Sequence, residues 1–151
     1  MPNGTSASTP HSNSPSVVPA APVNNPLPDC LVASFPSHPR RVDHARRLTA
    51  LHLRAASPLS PDVHHTVQLL VSELVTNAIV HGSGPSVTFS LACCSSVVRV
   101  EVDDHSSTPG SPVVKCPAPE AESGRGMVLV DTLATAWGRK GTCTWCTVAV
   151  R

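Results

Sequence analysis

A chain of 151 residues is long enough for one domain with a hydrophobic core and too short for two domains of ordinary size. Its formal net charge of +1 and its aromatic content of 3%, with no Tyr, disfavour a surface built to bind nucleic acid or an anionic membrane. No apolar run approaches the roughly 20 residues of a membrane span and no signal-peptide pattern is present, so we expect a cytoplasmic protein without nucleic-acid or membrane partners.

The first 28 residues differ in composition from the rest of the chain. They contain no Asp, Glu, Lys or Arg, and they hold seven of the sixteen prolines. Such a segment has too little apolar surface to offset the entropy of ordering it, so we expect residues 1–28 to be disordered. A single folded domain is expected over residues 29–151.

Two helices are predicted to follow a short strand. The stretch CLVASFP, residues 30–36, has the composition of a strand, and residues 38–56 carry apolar side chains at helical spacing. Ser60 is placed to cap the next helix, followed by a proline at the first helical position. This helix is expected to run to about His81 and to end at Gly82 in a left-handed conformation.

The second half of the chain is predicted to contain three strands and one helix. Residues 86–94 and 96–103 have the composition of strands and are close enough to form a hairpin. Residues 106–123 are too rich in Pro, Ser and Gly for regular structure. A helix is predicted over residues 124–138 and a final strand over residues 142–151.

The predicted order of elements is β-α-α-β-β-α-β, without an internal repeat. Helices with one apolar stripe pack naturally on one face of a sheet. We therefore expect an α+β fold, a two-layer α/β sandwich with the helices on one face of a mostly antiparallel mixed sheet.

Six cysteines raise the question of a metal or disulfide site. Only Cys143 and Cys146 have the spacing of a zinc knuckle, and zinc needs a second pair of ligands. In a strand, the two sulfurs of this pair would point to opposite faces. We interpret the cysteines as small, reduced residues of the core or surface.

The middle helix carries two polar residues beside its apolar face. On a helical wheel, Glu73 and Asn77 lie together on one border of the apolar arc and look toward the seam between helix and sheet. An amide oxygen can ligate Mg²⁺ while a carboxylate orients or deprotonates a nucleophile. The alternative is an exposed pair joined by a local hydrogen bond. His81 falls near the centre of the arc and is expected to be packed and hydrogen-bonded, not a ligand.

A second candidate residue stands at the end of a predicted strand. Val98, Val100 and Val102 share one face, and continuing their alternation points Asp104, not Asp103, toward the interior. A buried carboxylate is costly unless it meets a donor, and the amino group of a ligand such as adenine would serve. The alternative is that Asp104 turns outward or caps the following turn.

A glycine-containing segment, ESGRGM at residues 122–127, enters the last predicted helix. Around Gly124 and Gly126, backbone N–H groups and the helix dipole can meet phosphate oxygens. Arg125 between them either reaches phosphate or is solvated. Gly-x-Gly alone is a weak signal, and a plain N-terminal turn is the more common interpretation.

Together the three stretches resemble the GHKL ATP-binding superfamily of gyrases, heat-shock ATPases and histidine kinases. ELVTNAIVHG is similar to its N-box, VEVDD to its adenine-aspartate box and SGRGM to its second glycine box. FPSHPRRVDHARRL and ESGRGMVLVDTLATAWG are typical of the actinobacterial anti-sigma factor serine/threonine kinase group. The resemblance covers Leu31 to Arg151 and implies a Bergerat-type fold that binds ATP with Mg²⁺.

The resemblance also implies roles for individual residues. Asn77 would bind Mg²⁺, Glu73 would be the catalytic base and Asp104 would hold adenine. The glycine box at the ATP lid would supply the remaining ATP-binding residues, Gly124, Arg125, Gly126 and Met127.

This chain departs from the family pattern after Asp104. The usual Asp-x-Gly-x-Gly reads DHSST here, so both glycines are missing. Adenine is therefore expected to bind more weakly, or the loop to take another course. The Lys often found just before the terminal Trp region is also absent.

The resemblance implies a kinase that holds a sigma factor inactive and phosphorylates a serine of an antagonist protein, and it allows a homodimer through the first strand and helix. A second interpretation is a nucleotide sensor that sequesters partners without transferring phosphate. The missing glycines favour the sensor, and the intact Glu73 favours the kinase. A histidine-kinase catalytic domain without its dimerisation helices is a third interpretation, which the lack of a recognisable phospho-acceptor helix before residue 29 disfavours.

Overall fold

The computed structural model describes residues 29–56, 58–107 and 125–151. The expected disorder of residues 1–28 and most of the expected irregular stretch lie outside this part of the chain. The described residues form, in chain order, β1 (Asp29–Pro36), α1 (Arg41–Ala55), α2 (Pro61–His81), β2 (Ser86–Cys93), β3 (Val97–Asp103), α3 (Arg125–Leu133), β4 (Ala136–Lys140) and β5 (Cys143–Ala149). None of these helices combines the length and apolar character needed to cross a membrane.

The five described strands form one antiparallel sheet in the order β1-β2-β3-β5-β4. The predicted hairpin is present between β2 and β3, with Phe89 opposite Val102 and Leu91 opposite Val100. Alternate residues of β2, β3 and β5 are buried beneath the helices, while the other face of these strands is half-exposed. The expected α+β sandwich is therefore confirmed, because alternation in each strand gives the sheet a single apolar face.

The central helix of the helical layer is α2. Ser60 Oγ accepts a hydrogen bond from Val63 N at 3.3 Å, as the predicted cap requires. The helix packs against α1, α3 and the middle of the sheet. Its buried residues are Val63, Val67, Leu70, Val71, Leu74, Val75 and Ala78. Because each buried aliphatic side chain stabilises the fold by roughly 1.5–3 kcal/mol relative to exposure, α2 organises the core.

The end of α2 differs from the prediction. Gly82 has φ −72° and ψ 154°, which is extended and not left-handed. Crowding explains this glycine instead, because a Cβ at residue 82 would lie 2.8 Å from Cβ of Asp104. His81 is exposed, so the prediction of a packed histidine is wrong. The neighbouring Val80 is 61% exposed as well, which shows that the last two residues of α2 extend past the core.

The predicted helix over residues 124–138 is wrong in its last third. After α3 the chain forms β4, an edge strand paired with β5, so the observed order is β-α-α-β-β-α-β-β. Thr135 N donates to Thr147 O at 2.7 Å, and Trp137 Nε1 donates to Asp131 Oδ1 at 2.9 Å. Pairing with β5 satisfies the backbone groups that a longer helix would have satisfied locally, so tertiary context overrides the helical pattern.

The cysteines of β5 lie as the alternation predicts, with Cys146 buried and Cys143 on the opposite face. Burial raises the pKa of the Cys146 thiol to about 12. Burial is also the largest cause that raises the pKa of Cys93 to about 11. Thiols that stay protonated at neutral pH are weak nucleophiles and behave as small apolar side chains.

Candidate functional site

The predicted catalytic pair lies on α2, one turn apart. The side chains of Glu73 and Asn77 are both half-buried, and neither makes a hydrogen bond or ion pair with any residue that the structure describes. The local hydrogen bond of the alternative interpretation is therefore not formed. Burial raises the pKa of the Glu73 carboxyl. Half-buried polar groups without protein partners are available to a ligand.

The N-terminus of α3 lies against Glu73. Gly126 is so close that a Cβ there would overlap the Glu73 carboxylate. Met127 is buried in the core and anchors the helix, whereas Arg125 is exposed. The first backbone N–H groups of a helix and the positive end of its dipole favour phosphate. The structure thus brings Glu73 and Gly126 together, while Gly124 lies outside the described residues.

Asp104 faces the interior, as the strand alternation predicts, and is 4% exposed. Its Oδ1 accepts a hydrogen bond from Ser106 N at 2.9 Å, and its Oδ2 accepts one from Arg139 Nη2 at 2.9 Å. The carboxylate therefore points inward and also caps the following turn. Burial alone would raise the pKa of this carboxyl, but the hydrogen bonds from Arg139 and Ser106 and the Arg139 charge hold it below its ordinary value.

Arg139, which lies on β4 opposite Thr144, is a site residue that the sequence pattern does not predict. Its Nε donates to Gly141 O at 3.0 Å, and its Nη1 donates to Thr144 Oγ1 at 3.1 Å. Because the sequence predicts a helix up to residue 138, it does not place Arg139 beside the final strand. The one available signal is the inward Asp104, since a buried carboxylate requires a donor or a cation.

The Asp104 loop is supported by the C-terminus of α2. Gly82 contacts Asp104, and Ser83 N donates to Ser106 Oγ at 2.9 Å. Glu73 and Gly82 are nine residues apart, which is about 13 Å along the helix axis. The helix therefore presents the unpartnered pair at one level and supports the Asp104 loop at another, an arrangement that suits an elongated ligand.

The turn after Asp104 holds a strained conformation without glycine. His105 has φ 50°, in the left-handed region that glycine normally occupies. Its backbone N donates to Asp103 Oδ1 at 2.9 Å, and its Nε2 lies 2.8 Å from Thr88 Oγ1. Contacts to β2 and β3 thus stabilise the turn at His105, one residue before the first missing glycine of the family pattern.

The donor set on α2 fits Mg²⁺ held against phosphate. Asn77 offers one neutral amide oxygen and Glu73 offers carboxylate oxygens, and neither group is committed to a described partner. Magnesium combines one or two protein oxygens with phosphate oxygens and water, so it does not require a complete cage of protein ligands. Asn77 is the first residue that would hold the ion.

Comparison with known families gives a match. The model of a family described as the histidine kinase-like ATPase domain matches residues 35–148, about three quarters of the chain. The matched range includes Glu73, Asn77, Asp104 and Gly126. A search of curated proteins gives no match.

Proposed function

This chain belongs to the histidine kinase-like ATPase domain family, and from that premise we propose that it is an ATP- and Mg²⁺-binding anti-sigma factor. In this proposal it phosphorylates a serine or threonine of an anti-sigma antagonist protein. The observation that carries the proposal is the pair Glu73 and Asn77, half-buried on α2 without a described partner, with Glu73 against Gly126 at the start of α3. The motifs shared with the anti-sigma kinase group support its regulatory part.

Glu73 and Asn77 have different tasks in this proposal. Asn77 holds Mg²⁺, which neutralises charge on the phosphates. Glu73 accepts the proton of the attacking hydroxyl, and its raised pKa moves its proton affinity toward neutral pH, where a general base works best. Gly126 leaves the space beside the Glu73 carboxylate open, since any side chain there would occupy it.

The remaining site residues bind the two ends of ATP. Asp104 accepts a hydrogen bond from the amino group of adenine. The phosphates lie at the glycine box that opens α3, where backbone N–H groups are available. The ATP-binding residues of this box are Gly124, Arg125, Gly126 and Met127.

The charge distribution supports a protein partner with an acidic surface. Five of the eleven Lys and Arg residues lie between Arg40 and Arg54, with only one of the ten Asp and Glu residues. Four of these arginines, Arg40, Arg46, Arg47 and Arg54, are exposed. Such a basic helix steers acidic surfaces toward it. The proposed partners are a sigma factor, its antagonist and, through β1 and α1, a second copy of the chain.

One observation favours a second candidate function, a sensor that binds nucleotide without transferring phosphate. The Asp104 carboxylate already accepts hydrogen bonds from Arg139 and Ser106. These bonds occupy lone pairs on both carboxylate oxygens, so a base can use only the lone pairs that remain.

A paired measurement on three variants tests the proposal. Asn77→Ala should weaken Mg²⁺-dependent ATP binding roughly 10–100-fold, the effect of losing a contact to a charged group. Glu73→Gln keeps the shape of the side chain and should leave ATP affinity nearly unchanged while phosphate transfer falls roughly 10²–10⁴-fold. The matched control is Thr76→Ala, an exposed position of the same helix.

ATP affinity is measured by calorimetric titration with and without Mg²⁺, and transfer by radiolabel incorporation into antagonist proteins from the same organism. Thr76→Ala should behave as the unmodified protein does in both assays. If the unmodified protein binds ATP but transfers phosphate to none of the antagonist proteins, the proposed kinase function is wrong and the sensor function replaces it. No binding at millimolar ATP with Mg²⁺ would exclude both functions.

A further inference from the structure

Arg139 is held in place by its own hairpin before it reaches Asp104. Two of its donors, Nε and Nη1, bind Gly141 O and Thr144 Oγ1 of the β4–β5 hairpin. Within the described residues, the third nitrogen, Nη2, makes the one long-range bond, to Asp104 Oδ2 at 2.9 Å. Its side chain is 13% exposed. The guanidinium plane is therefore fixed locally, and Asp104 must adapt to it.

The same guanidinium joins two of the few polar side chains buried in the described fold. The buried polar residues of the described fold are Thr49, Asp104 and Thr144, and Arg139 donates hydrogen bonds to Asp104 and Thr144. A carboxylate rotates easily about its last torsion when nothing holds it. Here Arg139 fixes one oxygen and Ser106 N fixes the other, so the free lone pairs of Asp104 keep one direction.

We propose that Arg139 is a positioning residue for recognition of the base. It orients the Asp104 carboxylate so that the remaining lone pairs accept a hydrogen bond from the amino group of adenine. This inference rests on the proposed nucleotide binding. Discrimination between a 6-amino and a 6-oxo purine then depends on Arg139, although Arg139 does not touch the phosphates. Without the guanidinium, the carboxylate loses both its counter-charge and its fixed plane.

The test compares ATP with inosine triphosphate, which carries an oxo group in place of the amino group. Calorimetric titrations with Mg²⁺ are made on the unmodified protein, Arg139→Gln and the control Lys140→Gln, an exposed neighbour on the same strand. The unmodified protein and the control should prefer ATP about tenfold or more, the value of one charge-assisted hydrogen bond. In Arg139→Gln the preference should fall below about twofold, while affinity for inosine triphosphate stays within about threefold.

If Arg139 has only a general structural role, Arg139→Gln should bind both nucleotides more weakly by the same factor and keep the ratio of the two affinities. That result overturns the inference. Equal affinity of the unmodified protein for both nucleotides also overturns it, while leaving nucleotide binding intact. Binding of neither nucleotide is the failure of the proposed function itself. If thermal melting shows that Arg139→Gln does not fold, Arg139→Lys decides, because it keeps the charge but not the planar fork. If the preference of Arg139→Lys for ATP over inosine triphosphate is smaller than that of the unmodified protein, the positioning role is supported. If the preference is as large as that of the unmodified protein, the inference is overturned.

Discussion

At the scale of single residues, Gly126 and the Glu73 carboxylate compete for one space. Gly126→Ala gains up to about 1 kcal/mol of helix propensity, but its Cβ forces the Glu73 carboxylate to move. In Glu73→Ala that obstacle is gone, since the new Cβ would lie 3.8 Å from Cβ of residue 73, an ordinary contact. We expect Gly126→Ala to be more stabilising in the Glu73→Ala background by about 0.5–2 kcal/mol.

Urea unfolding of the four proteins measures this coupling. Additivity of the two substitutions within about 0.3 kcal/mol would contradict the contact between Gly126 and Glu73. The same series tests whether α3 is in place when no nucleotide is present.

Asp104 should make stability depend on pH. Its pKa is lower in the folded protein than the ordinary value of 3.8, so the unfolded chain binds more protons in acid. The stabilisation is therefore fully present above about pH 4 and is lost as pH falls through the folded pKa. Asp104→Asn removes this loss, but it lowers stability at neutral pH by roughly 3–5 kcal/mol because Arg139 loses its buried counter-charge.

Denaturant titrations between about pH 7 and pH 3 measure both effects, the loss of stability of the unmodified protein in acid and the lower stability of Asp104→Asn at neutral pH. Asp103→Asn is the control, since Asp103 is the adjacent carboxylate on the other strand face. An acid-induced loss of the same size in Asp104→Asn and in the unmodified protein would show that another group causes it.

At the scale of elements, the parts of the fold that depend on local pattern are predictable. The hairpin follows from two strand-like runs, and α2 follows from its helical spacing and its Ser60 cap. The inward direction of Asp104 follows from the period of β3. Glu73 and Asn77 are predicted as site residues because a helical wheel places both on the border of the apolar arc of α2.

The elements that depend on distant residues are not predictable in this way. Residues 136–140 have a pattern that continues α3, and only β5 converts them into a strand. Arg139 enters the site through that same pairing. The exposure of His81 depends on where the sheet ends beneath α2, which no helical wheel contains.

Local propensity and packing make opposite predictions at Gly138 of β4. Valine gains up to about 1 kcal/mol of strand propensity. However, a Cβ at residue 138 would lie 3.0 Å from Trp145 Cζ2, and Arg99 stacks on this ring at 4.5 Å from its centroid. Overpacking costs typically about 1–3 kcal/mol, so we expect Gly138→Val to be destabilising.

Thermal and urea unfolding measure the change. The control is Lys140→Val, which brings the same propensity to an exposed position of the strand. A Gly138→Val protein as stable as the Lys140→Val protein would mean that the Trp145 ring yields without cost.

At the scale of the whole molecule, the described core runs from Phe35 in β1 to Val148 in β5. It joins the helices to one face of a five-stranded sheet whose edge strands are β1 and β4. The phosphate end of the proposed site lies between α2 and α3. The base end lies at Asp104, after β3, between Gly82 at the end of α2 and Arg139 of β4. Every group that the proposed function uses therefore belongs to residues 29–151.

Removal of residues 1–28 should leave folding and nucleotide binding unchanged. The segment has no charged side chain and little apolar surface, so it has little with which to stabilise a packed domain. We expect the free energy of unfolding to change by less than about 1 kcal/mol, the size of an ordinary single substitution. ATP affinity should stay the same.

The matched control removes residues 1–36 and with them β1. Phe35 is buried, its ring centroid lies 6.1 Å from that of Phe89, and the strand pairs with β2 along its full length. Loss of the phenylalanine alone costs about 3–5 kcal/mol, so this shorter protein should be severely destabilised. If removing residues 1–28 lowers stability as much as removing residues 1–36, the first 28 residues belong to the folded domain and its boundary at Asp29 is wrong.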